Sequence, residues 1–135
     1  MWTWGYNALG QLGDNTVANR NAPVQAIGLT NVVQVAGGQY HSLALKSDGT
    51  AYAWGYNGYG QLGDGTVIDH FTPTPVSGFH EITAIASGYF HSLAMYRIPI
   101  VYMSNLTLQY GQRRRLIARL YNTVLSTDII GANVT

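Results

Sequence analysis

WGYNALGQLGDNTV, residues 4–17, returns as WGYNGYGQLGDGTV at 54–67 when the chain is laid over itself with a shift of fifty positions. Outward from there the overlay continues without a gap. GQYHSLAL at 38–45 becomes GYFHSLAM at 88–95, Pro23 meets Pro73, and Gly28 meets Gly78. Nineteen of the forty-five positions compared between 1–45 and 51–95 are identical. A period of about fifty residues marks a repeat architecture, in which one supersecondary unit cannot cover its own apolar faces and neighbouring copies must do so. Such arrays need about three units or more for stability. The two copies, 1–50 and 51–95, therefore read as a fragment of a longer array, as part of an oligomer, or as a marginally folded pair.

Within a copy, Val32-Val33-Gln34-Val35-Ala36 and His41-Ser42-Leu43-Ala44-Leu45 are two short strands broken by Gly37-Gly38. Lys46-Ser47-Asp48-Gly49 follows, its Asp-Gly pair suited to the positive φ of a tight hairpin, and then Thr50 to Trp54. The unit is an antiparallel meander. The run Gly55 to Gly65 contains five glycines, with Asn57 and Asp64 placed to bond their own backbone, and is predicted to be a compact loop. Small sheets of this kind stacked around an axis make a β-propeller. Gly38, Ser42 and Ala44 let neighbouring sheets approach, Leu43 and Leu45 share a face with His41, and Trp54 is large enough to anchor the space between blades.

The composition agrees with an all-β chain: 10% charged residues, 16 glycines and 10 tyrosines in 135 residues. The net charge of +1 hides an asymmetry. Residues 1–95 carry two basic and five acidic side chains, and residues 96–135 carry five basic and one acidic. There is no cysteine, which excludes disulfides and thiolate metal sites. The opening MWTWGYN lacks a signal-peptide pattern, and no run is long enough to span a bilayer as a helix.

The pattern SDGTAYAWGYNGYGQLGDGT, then a proline, a glycine and SGYFHSLAM, resembles the repeat of the regulator of chromosome condensation family over residues 1–95. The resemblance implies a seven-bladed propeller, so the expected fold is all-β: two blades of an incomplete propeller. After Met95 the expected hairpin and tryptophan strand are replaced by Tyr96-Arg97-Ile98-Pro99, taken as a linker over 96–99. In related propellers the last blade is closed by a strand from the opposite end of the array, so these copies read as its C-terminal portion.

Residues 100–135 change grammar. Leu106-Thr107-Leu108, Tyr110-Gly111, the alternating strand Leu116 to Leu120, a connection over Asn122 to Gly131, and a last strand at Ala132 to Thr135 resemble the opening of a bacterial immunoglobulin-like sandwich, here truncated.

The recurring residues Trp4, Gly10, Gly13, Asp14 and His41, with Trp54, Gly60, Gly63, Asp64 and His91, are expected to be structural. A catalytic group is needed once, whereas a repeat keeps what positions its own fold. His41 and His91 are read as hydrogen-bonded to a neighbouring loop, and Asp14 and Asp64 as caps of backbone amides rather than an acid-base pair or calcium ligands. The glycine-rich loop lacks the GK[ST] ending of a phosphate cradle. Tyr6, Tyr56 and Tyr59 are the candidate binding rim, since tyrosine offers much contact area at low entropy cost. Arg113-Arg114-Arg115 with Arg119 reads as a charged strand edge rather than a nucleic-acid contact.

The function expected from these residues is a non-catalytic scaffold, without catalytic, cofactor or metal residues, binding a protein or glycan. No nucleic acid and no membrane insertion are expected, and the pairing of the two modules suggests an extracellular or cell-envelope setting. The alternatives are nucleotide exchange or chromatin association, as the family name implies, and a polysaccharide-active enzyme.

Overall fold

The computed structural model describes residues 1–97, 115–120 and 123–128. The chain divides into two compact units, Met1–Pro99 and Ile100–Thr135.

In the first unit eight strands follow in order: β1 (Trp2–Gly5), β2 (Arg20–Gln25), β3 (Val32–Gly37), β4 (His41–Lys46), β5 (Ala51–Gly55), β6 (His70–Pro75), β7 (Ile82–Ser87) and β8 (Ser92–Tyr96). β3-β4-β5-β6 form one four-stranded antiparallel sheet, flanked by the two-stranded sheets β1-β2 and β7-β8. This is part of a β-propeller. The complete blade, residues 32–75, straddles the junction of the sequence copies at 50/51. The two copies thus supply one whole blade and two half blades. β8 runs to Tyr96, one residue into the segment expected as linker.

The hairpin between β4 and β5 turns on Gly49 at φ 80°, with the Lys46 amide bonded to the Thr50 carbonyl at 2.9 Å. Asp48 locks it by accepting from the Thr50 hydroxyl at 2.6 Å, the Thr50 amide at 3.0 Å and the Lys46 ammonium at 3.0 Å. Those bonds, Thr50's first, hold the Asp48 carboxyl down at about 2. The turn also touches the next sheet, since the Ile82 amide donates to the Gly49 carbonyl at 3.0 Å.

Both faces of β4 and β5 are covered. Leu43, Leu45, Ala51 and Ala53 pack with Leu62, Ile82 and Ile85 on the side of β7-β8. Ala44 and Trp54 pack with Ala26 and Leu29 on the side of β1-β2. The fourth strand, β6, carries Pro73 and Pro75, which suits its place at the sheet edge because proline gives no amide to a ladder.

In the second unit β9 (Arg115–Leu120) pairs antiparallel with β10 (Thr123–Asp128). This corrects the expectation of a connection from Asn122 to Gly131. Thr123 and Val124 are β-branched and Leu125 is apolar, and the pairing with β9 runs in register from Thr123↔Leu120 to Asp128↔Arg115. The other expected tail strands, at 106–108 and 132–135, and Arg113-Arg114 lie outside the described residues, as does the sandwich they would form.

Candidate functional site

The glycine loop of each copy is organised by one asparagine. Asn7, fully buried, accepts the Leu12 amide on Oδ1 at 2.9 Å and donates from Nδ2 to the Thr16 carbonyl at 3.0 Å, the Ala18 carbonyl at 3.1 Å and Asp14 Oδ1 at 3.1 Å. Asn57 repeats the set with Leu62, Thr66, Ile68 and Asp64. Only the second asparagine was singled out in the sequence; the signal for the first was its identity across the copies.

Asp14 and Asp64 do not face each other. Asp14 Oδ1 takes the Thr16 amide at 3.1 Å and hydroxyl at 2.7 Å, and Oδ2 meets Arg20 Nη2 at 2.7 Å and Nε at 2.8 Å. Asp64 binds Thr66 in the same way, and at the position of Arg20 it has His70, whose Nε2 lies 2.7 Å from Oδ2. Burial pushes the Asp14 carboxyl up, but the bonds from Thr16, Arg20 and Asn7 outweigh it and hold the group below the usual aspartate value. Asp64 is lowered by the same balance, with Thr66, His70 and Asn57 opposing burial. Gly10 and Gly60 close the loops by donating to the Asn7 and Asn57 carbonyls, at 2.9 and 2.8 Å.

Each loop grips the next blade. Trp54 Nε1 and Ser42 Oγ both donate to the Gln11 carbonyl, each at 2.8 Å. Gly13, at φ 71°, lies so close that a Cβ there would stand 2.8 Å from Trp54 Nε1. Trp54 is completely buried, whereas Trp4, its counterpart, is 64% exposed.

His41 is buried between blades with Nε2 3.0 Å from Ser92 Oγ, and Ser92 Oγ donates to the Gln61 carbonyl at 2.7 Å. With the serine proton committed to that carbonyl, its oxygen accepts, so the tautomer assigned from the network carries the proton on Nε2. Nδ1 has no partner. Burial, and after it the neighbouring His91, push His41 below the ordinary histidine value and keep it neutral. A Cβ at Gly38 would overlap the His41 ring, and one at Gly88 the His91 ring. His91 itself is exposed.

Tyr56 and Tyr59 stand together with ring centroids 6.0 Å apart, and Phe90 joins them at 6.2 and 5.0 Å. Tyr89 packs edge-on to Phe90 at 4.4 Å. Tyr6 lies apart from this group, 6.2 Å from Tyr40. The rim is therefore two clusters at equivalent repeat positions, one Tyr6–Tyr40 and one larger. Phe90, Tyr89 and Tyr40 were not recognised as part of it, because they sit before the HSLA strand and reach the tyrosine loop only through the fold. Tyr6, Tyr59 and Tyr89 are 55%, 68% and 59% exposed. Among the described residues no three His, Asp or Glu side chains are grouped to hold a metal ion.

Residues 1–45 and 48–95 match the regulator of chromosome condensation (RCC1) repeat, and 32–61 match a second form of the same repeat. The chain belongs to the RCC1-repeat family. The matched repeats end at residue 95, and nothing supports an immunoglobulin-like domain after them. The protein RCC2 homolog of Danio rerio is 41% identical over 54 residues, covering 38% of this chain and 11% of the relative. Among solved structures, human WBSCR16 is 28% identical with a TM-score of 0.57, over 70% of this chain and 26% of that one. Yeast RCC1 (Prp20), solved bound to Kap60, is 25% identical with a TM-score of 0.58, over 70% of this chain and 25% of that one. Prp20p from Saccharomyces cerevisiae, a protein with binding properties to Gsp1p and histones, is similar in fold at a TM-score of 0.61 and 24% identity, over 71% and 26% of the two chains. This RCC1-repeat chain thus spans about a tenth of the curated relative and about a quarter of the solved propellers.

Proposed function

We propose that the chain is a non-catalytic binding module whose exposed aromatic rim contacts a protein partner. The observation that carries this reading is the cluster of Tyr56, Tyr59, Tyr89 and Phe90, in which Phe90 meets each of the three tyrosines and Tyr59 and Tyr89 are more than half exposed. Aromatic anchors of this kind dominate the energetics of protein interfaces. The groups that could otherwise do chemistry are engaged: each loop aspartate holds a threonine and a basic side chain, Arg20 or His70, and His41 is buried in its neutral form. The related yeast RCC1 (Prp20) binding Kap60 supports a protein rather than a glycan as the partner.

The test is a comparative pull-down with the full chain and with the Tyr59→Ser, Tyr89→Ser variant, read by mass spectrometry, beside a glycan array. A protein held by the parent and reduced tenfold or more by the variant supports the reading. Glycan binding alone, or equal retention by both baits, overturns it. Family membership favours a second reading, a regulator that promotes nucleotide release from a small GTPase. Faster release of a labelled guanine nucleotide in the presence of the chain would establish that activity. An exported or cell-surface setting, with residues 100–135 as an immunoglobulin-like spacer, rests on the strand pattern of the tail alone.

A further inference from the structure

We infer that the aromatic cluster of the second copy takes a basic protein segment, an arginine lying over the exposed rings of Tyr59 and Tyr89 and pairing with the carboxylate of Asp69. This rests on the rim being a protein-binding surface and adds the chemistry of what it binds. The two copies share one backbone arrangement, so the positions at which they differ are free of the fold. Asp69 Oδ1 accepts the Asn57 amide at 2.7 Å, and in the first copy Asn19 Oδ1 accepts the Asn7 amide at 2.8 Å. A neutral amide does that work as well as a carboxylate, so the charge of Asp69 is surplus to the loop. Its bond to Asn57, the residue after Tyr56, places that charge at the root of the tyrosine loop. Among the described residues Asp69 makes no ion pair, whereas the two basic side chains of residues 1–95 are both taken, Arg20 by Asp14 and Lys46 by Asp48.

The rings differ between the copies in the same sense. The amides of Leu9 and Tyr59 donate alike to Gln11 and Gln61 Oε1, at 3.1 and 3.0 Å, so the backbone asks nothing of the tyrosine. Gln39 in turn becomes Tyr89, and the permanent cation of Arg20 becomes His70. The second site therefore gains two tyrosines and a carboxylate and loses an arginine. Gln39 is exposed within the complete blade, so the outward placing of Tyr89 belongs to its position in the blade. Tyr56–Tyr59 and Tyr89–Phe90 meet edge-on, at 83° and 84°, an arrangement that covers one ring face in each pair. Open ring faces carry the negative end of the aromatic quadrupole and attract a guanidinium more often than an ammonium. Arginine also matches a carboxylate with its planar fork, and the excess of acidic over basic side chains in residues 1–95 favours its approach.

The test is a peptide array in which one residue type at a time is fixed among randomised neighbours, probed with the labelled full chain. Asp69→Asn, and Tyr59→Leu with Tyr89→Gln, each install the residue of the first copy, which the same loop already accommodates; thermal melts confirm the fold. The parent chain should be retained about tenfold or more strongly on arginine-fixed than on glutamate-fixed peptides, with the preference weakening as salt is raised. Asp69→Asn should lower that ratio about threefold or more, and the tyrosine variant should bring it close to unity. Equal retention on arginine and glutamate, retention on no peptide, or a preference untouched by both variants would each overturn the inference. If the protein captured by pull-down is lost with the tyrosines while no arginine preference exists, the charge chemistry falls and the rim stands. If that protein is held as well without the tyrosines, both fall.

Discussion

The indole of Trp54 donates to the carbonyl of Gln11 at 2.8 Å, across 43 residues of sequence and from one blade to the loop of the blade before it. Ser42 shares the same acceptor, so a single peptide oxygen holds two neighbouring strands. Trp54→Phe keeps most of the ring and removes the donor. A loss of about 1–2 kcal/mol in urea unfolding is expected, since a buried carbonyl keeps one partner and forfeits the other. A change within error would show that packing alone holds the loop.

Gly13 and Gly28 both have positive φ, 71° and 75°, but only Gly13 lies against the indole. Alanine in the left-handed region costs about 1–2 kcal/mol whatever surrounds it. Gly28→Ala should show that cost alone, and Gly13→Ala distinctly more. Equal losses would mean that Trp54 moves aside freely.

Asn57→Ala removes five bonds at a fully buried site, leaving the Leu62 amide and the Thr66 and Ile68 carbonyls without their partner. A destabilisation of about 3 kcal/mol or more is expected, with limited proteolysis appearing first within 57–70. Cleavage starting elsewhere would place the weak point outside the loop.

The pH dependence has two windows. The folded His41 value is depressed, so the unfolded chain binds the proton more readily, and its contribution is present above the ordinary histidine value of 6.5 and lost as pH falls below it. Asp14 and Asp64 are also depressed, so their contribution is present above the ordinary value of 3.8 and lost at more acid pH. Thermal melts of the parent chain should fall in both ranges. His41→Gln should flatten the first and leave the second. A melting profile unchanged by the substitution between pH 5 and 7 would contradict the neutral, buried histidine.

His70→Arg copies the first loop's partner for its aspartate, whose guanidinium makes two contacts where the imidazole makes one. The pair is partly exposed, so a gain of no more than about 1 kcal/mol is expected. A loss would show that the second loop has no room for the arginine fork.

The meander, the Asp48-Gly49 hairpin and the glycine loop were legible because each rests on residues close in sequence: a turn needs its positive φ locally, and Asp64 finds Thr66 two residues on. The role of Asn7, the fourth strand with its two prolines, and the hairpin partner Thr123–Asp128 were not. A strand rich in proline has weak local preference for a sheet and is held there by its neighbour, Tyr52↔Pro75 and Ala53↔Thr74. The aromatic rim was half visible, since Phe90 reaches Tyr59 only once β7-β8 is folded against the central blade.

Sequence alone established the fifty-residue period, the all-β character and the residues each copy holds in common, because the alternation of strands and the chemistry of turns are written at short range. The tertiary structure decided what each of those residues does. Trp4 and Trp54 are the same amino acid in the same motif, yet one is 64% exposed and the other sealed, because burial depends on whether another blade lies across the face, and that is a property of neighbours rather than of the motif.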